Sequence, residues 1–381
     1  MSINITDKHN CSGCTACAYS CAKHAINMRP DALGFMYPDV NATKCTECGL
    51  CEKVCQFKAD YDRYENYAQP LAYAVRHKSK DIFESSQTAG ASMAIIDAFL
   101  EDGGIVYGAS YDSEFQVIHT GIQSKEDARS FQGSKYVQSN LTGILPQIRE
   151  NLQKGSQVLF LGTPCQIAGL KSFIPKRLHT NLYTVDLICH GVPSPKLWQS
   201  YLKYLENKYR SKLTKVNFRD KRFGWHECFE MFQFKDGTEV SRRSFDHLFF
   251  LGICSRLSCE ICPYTNILRV GDLTIGDFWG WEKNHNQCCD DKGVNLCLIN
   301  SDKGVKLFVK MKDSIASIPC DLTEILQPQL QKPMVANPKR LSFEDDFSRK
   351  GFGYVGKKYG DLGLKHKALV LLQNIKHRIF R

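Results

Sequence analysis

Long hydrophobic runs are missing from this sequence of 381 residues. No stretch approaches the 18 or so uninterrupted apolar residues of a membrane span, and the N-terminal "MSINITDKHNC" lacks the apolar segment of an export signal. There is no nucleic-acid-binding motif and no long basic run outside the C-terminal region, although the net charge is +10. We therefore expect a cytoplasmic protein that binds no nucleic acid.

Cysteine, by contrast, is abundant, with 18 residues in the chain. A secreted disulfide scaffold would be short and carry an export signal, so thiols that bind metal in a reducing compartment explain these cysteines better. The balance of 43% hydrophobic and 24% charged residues is that of a globular protein, and the length predicts two or three domains. The positive charge indicates either a solvated surface or a docking face for an acidic redox carrier.

Two runs of four cysteines share the spacing C-x2-C-x2-C-x3-C at a constant offset of 34 residues. This spacing is typical of two-cluster ferredoxins, in which the fourth cysteine of each run reaches the cluster held by the other run. We expect that cysteine at the start of the helix after the loop. One 4Fe-4S cluster is then assigned to Cys11, Cys14, Cys17 and Cys55, and the second to Cys45, Cys48, Cys51 and Cys21.

Zinc is the alternative metal for these cysteines, since tetrahedral zinc sites also use C-x2-C pairs. Zinc sites usually separate their pairs more widely, so two complete runs favour iron. Residues 1–60 resemble a bacterial two-cluster ferredoxin and are expected to form an α+β ferredoxin-like domain. Residues 61–70, which belong to a charged segment rich in tyrosine, form the predicted linker.

From Leu71 onwards, strand and helix patterns alternate, which predicts an α/β domain. "LAYAVRH", "GIVYGASYD", "QVLFLG" and "LYTVDLIC" are predicted strands, and "AGASMAIIDAFLEDG" and "PSPKLWQSYLKYLENKYR" are predicted helices. Between the first strand and its helix lies "ESSQTAGAS", whose small and hydroxylated residues suit either an ordinary helix cap or a phosphate site. "FLGTPCQIAGLK" repeats the arrangement, with Cys165 at a helix N-terminus.

A third group of cysteines has the spacing C-x4-C-x2-C, which is also that of three ligands in plant-type clusters. It consists of Cys254, Cys259 and Cys262. A fourth ligand must come from elsewhere in the fold, and Cys165 and Cys189, each just after a predicted strand, are the candidates. We expect a third iron-sulfur cluster here, with zinc as the alternative.

Several stretches together carry a family resemblance. They are "SSQTAGAS", "SKYVQS", "GTPCQIAGL", "DLICHGVPSP", "FRDKRFGW" and "CEICPYTNILRVGDLTIGDFWG". With the N-terminal ferredoxin segment, they make the chain resemble the coenzyme F420 hydrogenase/dehydrogenase beta-subunit family over about residues 1–340. The ending "GDFWG" departs from the deazaflavin-reducing members and is similar to the version in bacterial proteins of glycan-synthesis loci.

The resemblance implies a flavoprotein that binds FAD and passes electrons between 4Fe-4S clusters and an organic substrate. Residues 71–340 would be its larger α/β FAD-binding domain. The implied FAD contacts are Ser86, Gln87, Thr88, Ala89, Gly90, Ser92, Lys135, Tyr136, Gln138, Gly162, Thr163, Pro164 and Gln166. Relatives act on a deazaflavin or on a chlorophyll derivative, so the substrate is left open. The alternatives are an F420 oxidoreductase subunit and an electron-transfer subunit without its own substrate site.

Two histidines within the matching stretches, His190 and His226, are the candidate general acids. Lys221, Arg222 and Trp225 either bind an anionic or planar substrate or form a solvated basic loop. Residues 341–381 form a basic C-terminal segment with an amphipathic helix, for which docking on protein is favoured over contact with a membrane surface. The expected partners are an external electron carrier such as ferredoxin and a small organic substrate.

Overall fold

The computed structural model describes residues 3–4, 7–57, 66–284 and 290–363. Its strands are β1 Ile26–Pro30, β2 Met36–Val40, β3 Leu71–His77, β4 Ile105–Tyr111, β5 Val117–Ile122, β6 Val158–Gly162, β7 Leu182–Leu187, β8 Leu213–Asn217, β9 Glu230–Phe234, β10 Glu239–Arg242, β11 Leu273–Asp277, β12 Asn295–Ile299 and β13 Ile315–Cys320. The four strands predicted above correspond to β3, β4, β6 and β7, which confirms them.

The helices alternate with these strands along much of the chain. They are α1 Ala16–Ser20, α2 Leu50–Lys53, α3 Lys80–Ser85, α4 Ala91–Glu101, α5 Lys125–Ala128, α6 Ile144–Gln153, α7 Pro164–Phe173, α8 Pro195–Tyr209, α9 Ser244–Phe250, α10 Trp281–Asn284, α11 Asp302–Met311 and α12 Arg340–Lys358. The two predicted helices are α4 and α8. None of the helices in the described ranges combines the length and the apolar character that crossing a bilayer requires.

An eight-stranded mixed sheet, in the order β13-β3-β12-β11-β7-β6-β4-β5, is the centre of the larger part. Strands β4, β6, β7 and β11 run parallel to one another, and the outer strands pair antiparallel. Helices α4 and α11 pack on one face and α6 and α7 on the other, so the parallel strands are buried on both sides. The fold is therefore a mixed α/β architecture rather than a purely parallel sheet.

The small N-terminal part contains the hairpin β1–β2 and the short helices α1 and α2. Its two cysteine loops adopt matching backbone conformations 34 residues apart: φ is 71° at Gly13 and 52° at Glu47, and 66° at Thr15 and 73° at Gly49. Thr15 and Glu47 occupy a region that residues other than glycine seldom adopt. The internal duplication seen in the sequence is thus present in the backbone.

A second core lies beyond the large sheet, where α8, α9 and α12 pack against the three-stranded sheet β10-β9-β8. Aromatic side chains fill it, including Trp198, Tyr201, Phe245 and Phe343. Helix α12 is kinked at Gly351, and its burial here was not predicted. The predicted amphipathic helix was placed in residues 362–381, of which 364–381 lie outside the described residues, as do residues 61–65 of the predicted linker.

Candidate iron-sulfur and cofactor sites

The first predicted cysteine set is brought together by the structure. Burial, and then the negative charges of Cys14, Cys11 and Cys55, raise the pKa of the Cys17 thiol. Four thiolates packed this closely repel one another, and a positively charged metal centre among them removes that repulsion. These four residues therefore fit a cluster, with Cys55 contributed by the second run.

Two members of the second set, Cys51 and Cys21, lie in the small N-terminal core. Cys51 and Cys21 share an apolar cluster with Ile3 and Ile26, and the Ile3 amide donates to Cys51 Sγ at 3.2 Å. The Ala25 amide donates to Cys21 Sγ at 3.3 Å, a contact of the kind that tunes cluster potentials. Cys48 is exposed. The fourth cysteine of the first run was expected at the start of a helix, but Cys21 instead directly follows α1.

Four other cysteines converge between the small part and the large sheet. Burial, followed by the charges of Cys189, Cys165 and Cys262, raises the pKa of Cys259. All four line one cavity, which we call the four-cysteine cavity. Sequence reasoning left Cys165 and Cys189 as alternatives for one position, whereas the fold brings both to this group because β6 and β7 are neighbours whose ends meet.

Cys254, the first residue of the predicted C-x4-C-x2-C set, is not part of this group. Its side chain is fully buried in the aromatic core with Phe245 and Leu248, and no other cysteine contributes to its raised pKa, which burial dominates. The spacing was misleading, because Pro193 pairs with Ser255 and directs the chain so that Cys254 faces the core.

Among the described residues, no three His, Cys, Asp or Glu side chains converge closely enough to surround a single metal ion. A single zinc ion holds its sulfurs about 2.3 Å from one centre. A multi-iron cluster spaces its thiolates further apart.

A second cavity lies at the carboxyl ends of β6, β7 and β11, where α/β sheets commonly bind ligands. We call it the strand-end cavity. Ten predicted FAD contacts line it: Ser86, Gln87, Thr88, Gly90, Ser92, Lys135, Tyr136, Gly162, Thr163 and Gln166. The other three do not. Ala89 is buried, Gln138 donates to Ser12 O at 2.8 Å, and Pro164 faces the four-cysteine cavity.

The loop before α4 forms one wall of the strand-end cavity. Asn295 Oδ1 accepts from the amides of Ala89 and Ala91, at 3.1 Å each. Gly90, with φ of 83°, precedes the helix and has no side chain of its own to cap it. Asn295 engages the first amide of the helix, so an anion here would be held by the other amides of the first turn, where the helix dipole favours one.

Two residues that line this cavity have unsatisfied polar atoms. Gln87 Oε1 and His119 Nδ1 are buried and, within the described part of the chain, have no hydrogen-bond partner. Burial lowers the pKa of His119 to about 4, so the ring is neutral. Burial lowers the pKa of Lys135 to about 7. Such groups are costly to leave without partners.

The two cavities share a wall. Cys189, His190, Gly191, Val192 and Phe249 line both of them. His190 is largely buried, which lowers the pKa of its imidazole. Of the two candidate general acids, it is therefore the one that reaches both sites.

His226, in contrast, lines neither cavity. It is half-exposed, and its Nδ1 and Nε2 lie 2.6 Å from Asp291 and 2.9 Å from Glu282. Two carboxylates already engage both ring nitrogens, so the geometry does not support a catalytic role for His226.

Three residues of the stretch "RDKRFGW" contact other parts of the protein. Lys221 Nζ donates to the carbonyl oxygens of Phe83 and Thr88, Arg222 pairs with Asp220 and Glu239, and Trp225 stacks on Trp279 at 4.7 Å. The buried residue Arg219 was missed by sequence reasoning. Its Nη1 donates to Asp277 Oδ2 at 2.7 Å.

Asp277 joins these elements at the rim of the strand-end cavity. It also accepts from Trp225 Nε1 at 2.9 Å and from the Thr88 hydroxyl. Burial raises the pKa of Asp277, but the Arg219 charge and these hydrogen bonds outweigh it and hold the pKa below its usual range. Asp277 lies in the stretch "GDFWG", and that stretch was the feature of the sequence that could have identified it.

Comparison with known proteins finds family models that match two stretches of the chain. Residues 155–321 match the family model for the C terminus of the coenzyme F420 hydrogenase/dehydrogenase beta subunit, and residues 10–59 match the model for a 4Fe-4S dicluster domain. The resemblance inferred from the sequence is thereby confirmed. No curated protein sequence matches the chain.

One similar solved structure is the xenon-derivatised F420-reducing [NiFe] hydrogenase complex from Methanosarcina barkeri. The sequence identity is 17% and the TM-score is 0.48, over 74% of this chain and 99% of the matched chain.

Proposed function

We propose that the chain is an FAD-dependent oxidoreductase with three iron-sulfur clusters, because residues 155–321 match the C-terminal model of the coenzyme F420 hydrogenase/dehydrogenase beta subunit and residues 10–59 match a 4Fe-4S dicluster domain. The two matched domains make it an iron-sulfur electron-transfer protein of an oxidoreductase family. FAD, the third cluster and a small organic substrate are our additions.

The observation that supports this proposal most strongly is the wall that the two cavities share. Electron transfer between a cluster and a flavin requires that both be close, and Cys189 to Val192 line the four-cysteine cavity and the strand-end cavity at once. A zinc ion held for structure alone would need no such neighbour.

FAD bound in the strand-end cavity would supply exchange between one-electron and two-electron chemistry. The first-turn amides of α4 that Asn295 does not engage, together with the Lys135 amine, would hold the negatively charged diphosphate. Asp277 with Arg219 holds the loop that contains Thr88. His190 is the proposed proton carrier, because it lines both cavities.

Helix α7 connects the clusters. Cys165 lies in its first turn, and a Cβ built on Gly169, one turn later, would lie 2.6 Å from Cys14 Sγ. The Cys14 charge also acts on Cys165, after burial and the larger effects of Cys262, Thr163 and Cys189. We assign the second cluster, beside the exposed Cys48, as the contact point for an external carrier such as ferredoxin.

The test is a single turnover. Protein reduced anaerobically is mixed with candidate substrates in a stopped-flow instrument, starting with oxidised glycan precursors and F420. Reoxidation of the flavin absorbance by an organic substrate, and its loss in Cys189→Ala, is expected. If no substrate reoxidises the protein unless a partner protein is added, the chain is an electron-transfer subunit.

The description of the matched family favours a second candidate, an F420 oxidoreductase subunit. Reoxidation by F420 alone among the substrates would select it. Reoxidation by a glycan precursor, with F420 inert, would exclude it.

A further inference from the structure

Arg256 is buried where the small N-terminal part meets the large one. Its side chain is among the largest fully buried ones in the described residues, with 1% of the residue exposed. Nε donates to Cys11 O at 2.6 Å, Nη2 to Met36 O at 2.9 Å, and Nη1 to Gln138 Oε1 at 3.0 Å. Nη2 also lies 3.4 Å from Cys11 Sγ.

The charge of this arginine has no carboxylate partner in the part of the chain that the structure describes. Other buried arginines do: Arg219 pairs with Asp277, Arg269 with Asp186, and Arg340 with Glu344. A guanidinium does not lose its proton in a protein. Burying it without a negative charge nearby is costly, so a counter-charge must come from something other than a side-chain carboxylate.

The neighbouring cysteine supplies that charge. On the proposed cluster assignment, on which this inference rests, Cys11 is a thiolate ligand of a cluster whose four thiolates make the centre negative. We propose that Arg256 is the counter-cation of the cluster held by Cys11, Cys14, Cys17 and Cys55, and that it raises the reduction potential of that cluster.

Local geometry supports the close approach. A Cβ on Gly13 would lie 2.8 Å from Arg256 Nη1, and the φ of 71° at this position also favours glycine. The Tyr37 ring covers the guanidinium at 4.2 Å from the ring centroid, which excludes water and strengthens the interaction between charges.

The sign of the effect follows from charge. Reduction adds one negative charge to the cluster, so a fixed cation nearby stabilises the reduced form more than the oxidised form. Within the described ranges, no arginine donates to a sulfur of the cluster beside Cys48. By raising the reduction potential of the inner cluster, which adjoins Cys165, Arg256 favours electron transfer to it from the exposed cluster. Arg256 O also accepts from the Cys259 amide at 3.0 Å. The segment that contains Arg256 therefore contacts both the first cluster site and the four-cysteine group.

The experiment is an anaerobic redox titration of the full-length protein, monitored by EPR, with iron analysis of each sample. Arg256→Met removes the charge and Arg256→Lys keeps it. In Arg256→Met we expect one cluster to become harder to reduce by at least tenfold in the ratio of reduced to oxidised centres, or about 59 mV for one electron, and the lysine variant to restore most of the loss. Arg340→Met, which removes a buried arginine with its own carboxylate, should leave every potential unchanged.

Every outcome bears on the proposal. Loss of about four irons in Arg256→Met but not in Arg256→Lys would support it, because the counter-charge is then needed to hold the cluster. Unchanged potentials in fully loaded Arg256→Met, or a lysine variant no better than the methionine one, would overturn it. Cys14→Ala checks the cluster assignment separately: it should remove about four irons and the same EPR signal that Arg256→Met shifts.

Discussion

Lys135 offers the sharpest test of the strand-end cavity as a site for an anionic cofactor. Within the ranges that the structure describes, its Nζ donates only to the carbonyl oxygens of Gln132 and Gly133, at 3.2 Å each, and forms no ion pair with a carboxylate. Burial lowers its pKa from the ordinary 10.5 to about 7. The cavity thus holds an amine that loses its proton easily when no anion is bound.

The magnitude follows from linkage. The unfolded chain binds the lysine proton up to about pH 10.5 and the folded chain only up to about pH 7, so folding is penalised increasingly as the pH falls between these values. Three and a half pH units at about 1.4 kcal/mol each give a penalty of up to about 5 kcal/mol below pH 7. A diphosphate beside the amine offsets it, because it favours the protonated form. Binding above pH 7 must therefore take up a proton.

The assay is titration calorimetry of the flavin-free protein with FAD from pH 6 to pH 9, in buffers of different ionisation enthalpy. Affinity should fall as the pH rises above 7, by up to tenfold per pH unit, with uptake of up to one proton. Lys135→Met should abolish this dependence and weaken binding most at pH 6. Lys125→Met, which changes an exposed lysine paired with Glu101, is the control. A wild-type affinity that does not vary with pH, or the same variation in Lys135→Met, would refute the reasoning.

Three further changes test the assignments around the cavities. Cys259→Ala should remove about four irons per chain and Cys254→Ala none, by iron analysis; equal losses would contradict the four-cysteine group. Gly169→Ala should cost about 1–3 kcal/mol in denaturant unfolding, because its Cβ would lie 2.6 Å from Cys14 Sγ, whereas the helical control Gly353→Ala meets only Tyr204 at 3.5 Å and should be neutral. Asp277→Asn should cost about 3–5 kcal/mol by leaving Arg219 without its carboxylate and should release FAD; unchanged flavin retention would count against its role.

The sequence was most informative where the residues that form a site lie only a few positions apart. The duplicated cysteine runs predicted that Cys55 joins Cys11, Cys14 and Cys17 of the first loop, because the ligand loop is local and repeats at an offset of 34 residues. The matching assignment of Cys21 to the second loop stays a prediction. The buried strand patterns gave β6 and β7, and with them the positions of Cys165 and Cys189 at neighbouring strand ends.

Long-range geometry was harder to predict. Cys254 fits a ligand spacing, yet it faces the aromatic core, and nothing in the spacing distinguishes the two directions. His190 and His226 looked equivalent as motif histidines, but only His190 lines a cavity, since Asp291 and Glu282 engage His226 from distant segments. The role of Arg219 depends on Asp277, 58 residues away, and no local pattern relates them.

The most direct test of the account is the metal and flavin content of the full-length protein, prepared without oxygen. About twelve irons, one FAD and no stoichiometric zinc per chain are predicted, and Cys189→Ala should lower the iron by about four while the N-terminal clusters remain. Zinc in place of the third cluster, or fully loaded protein that carries no flavin, would contradict the claim that a cluster and FAD adjoin across the wall at His190.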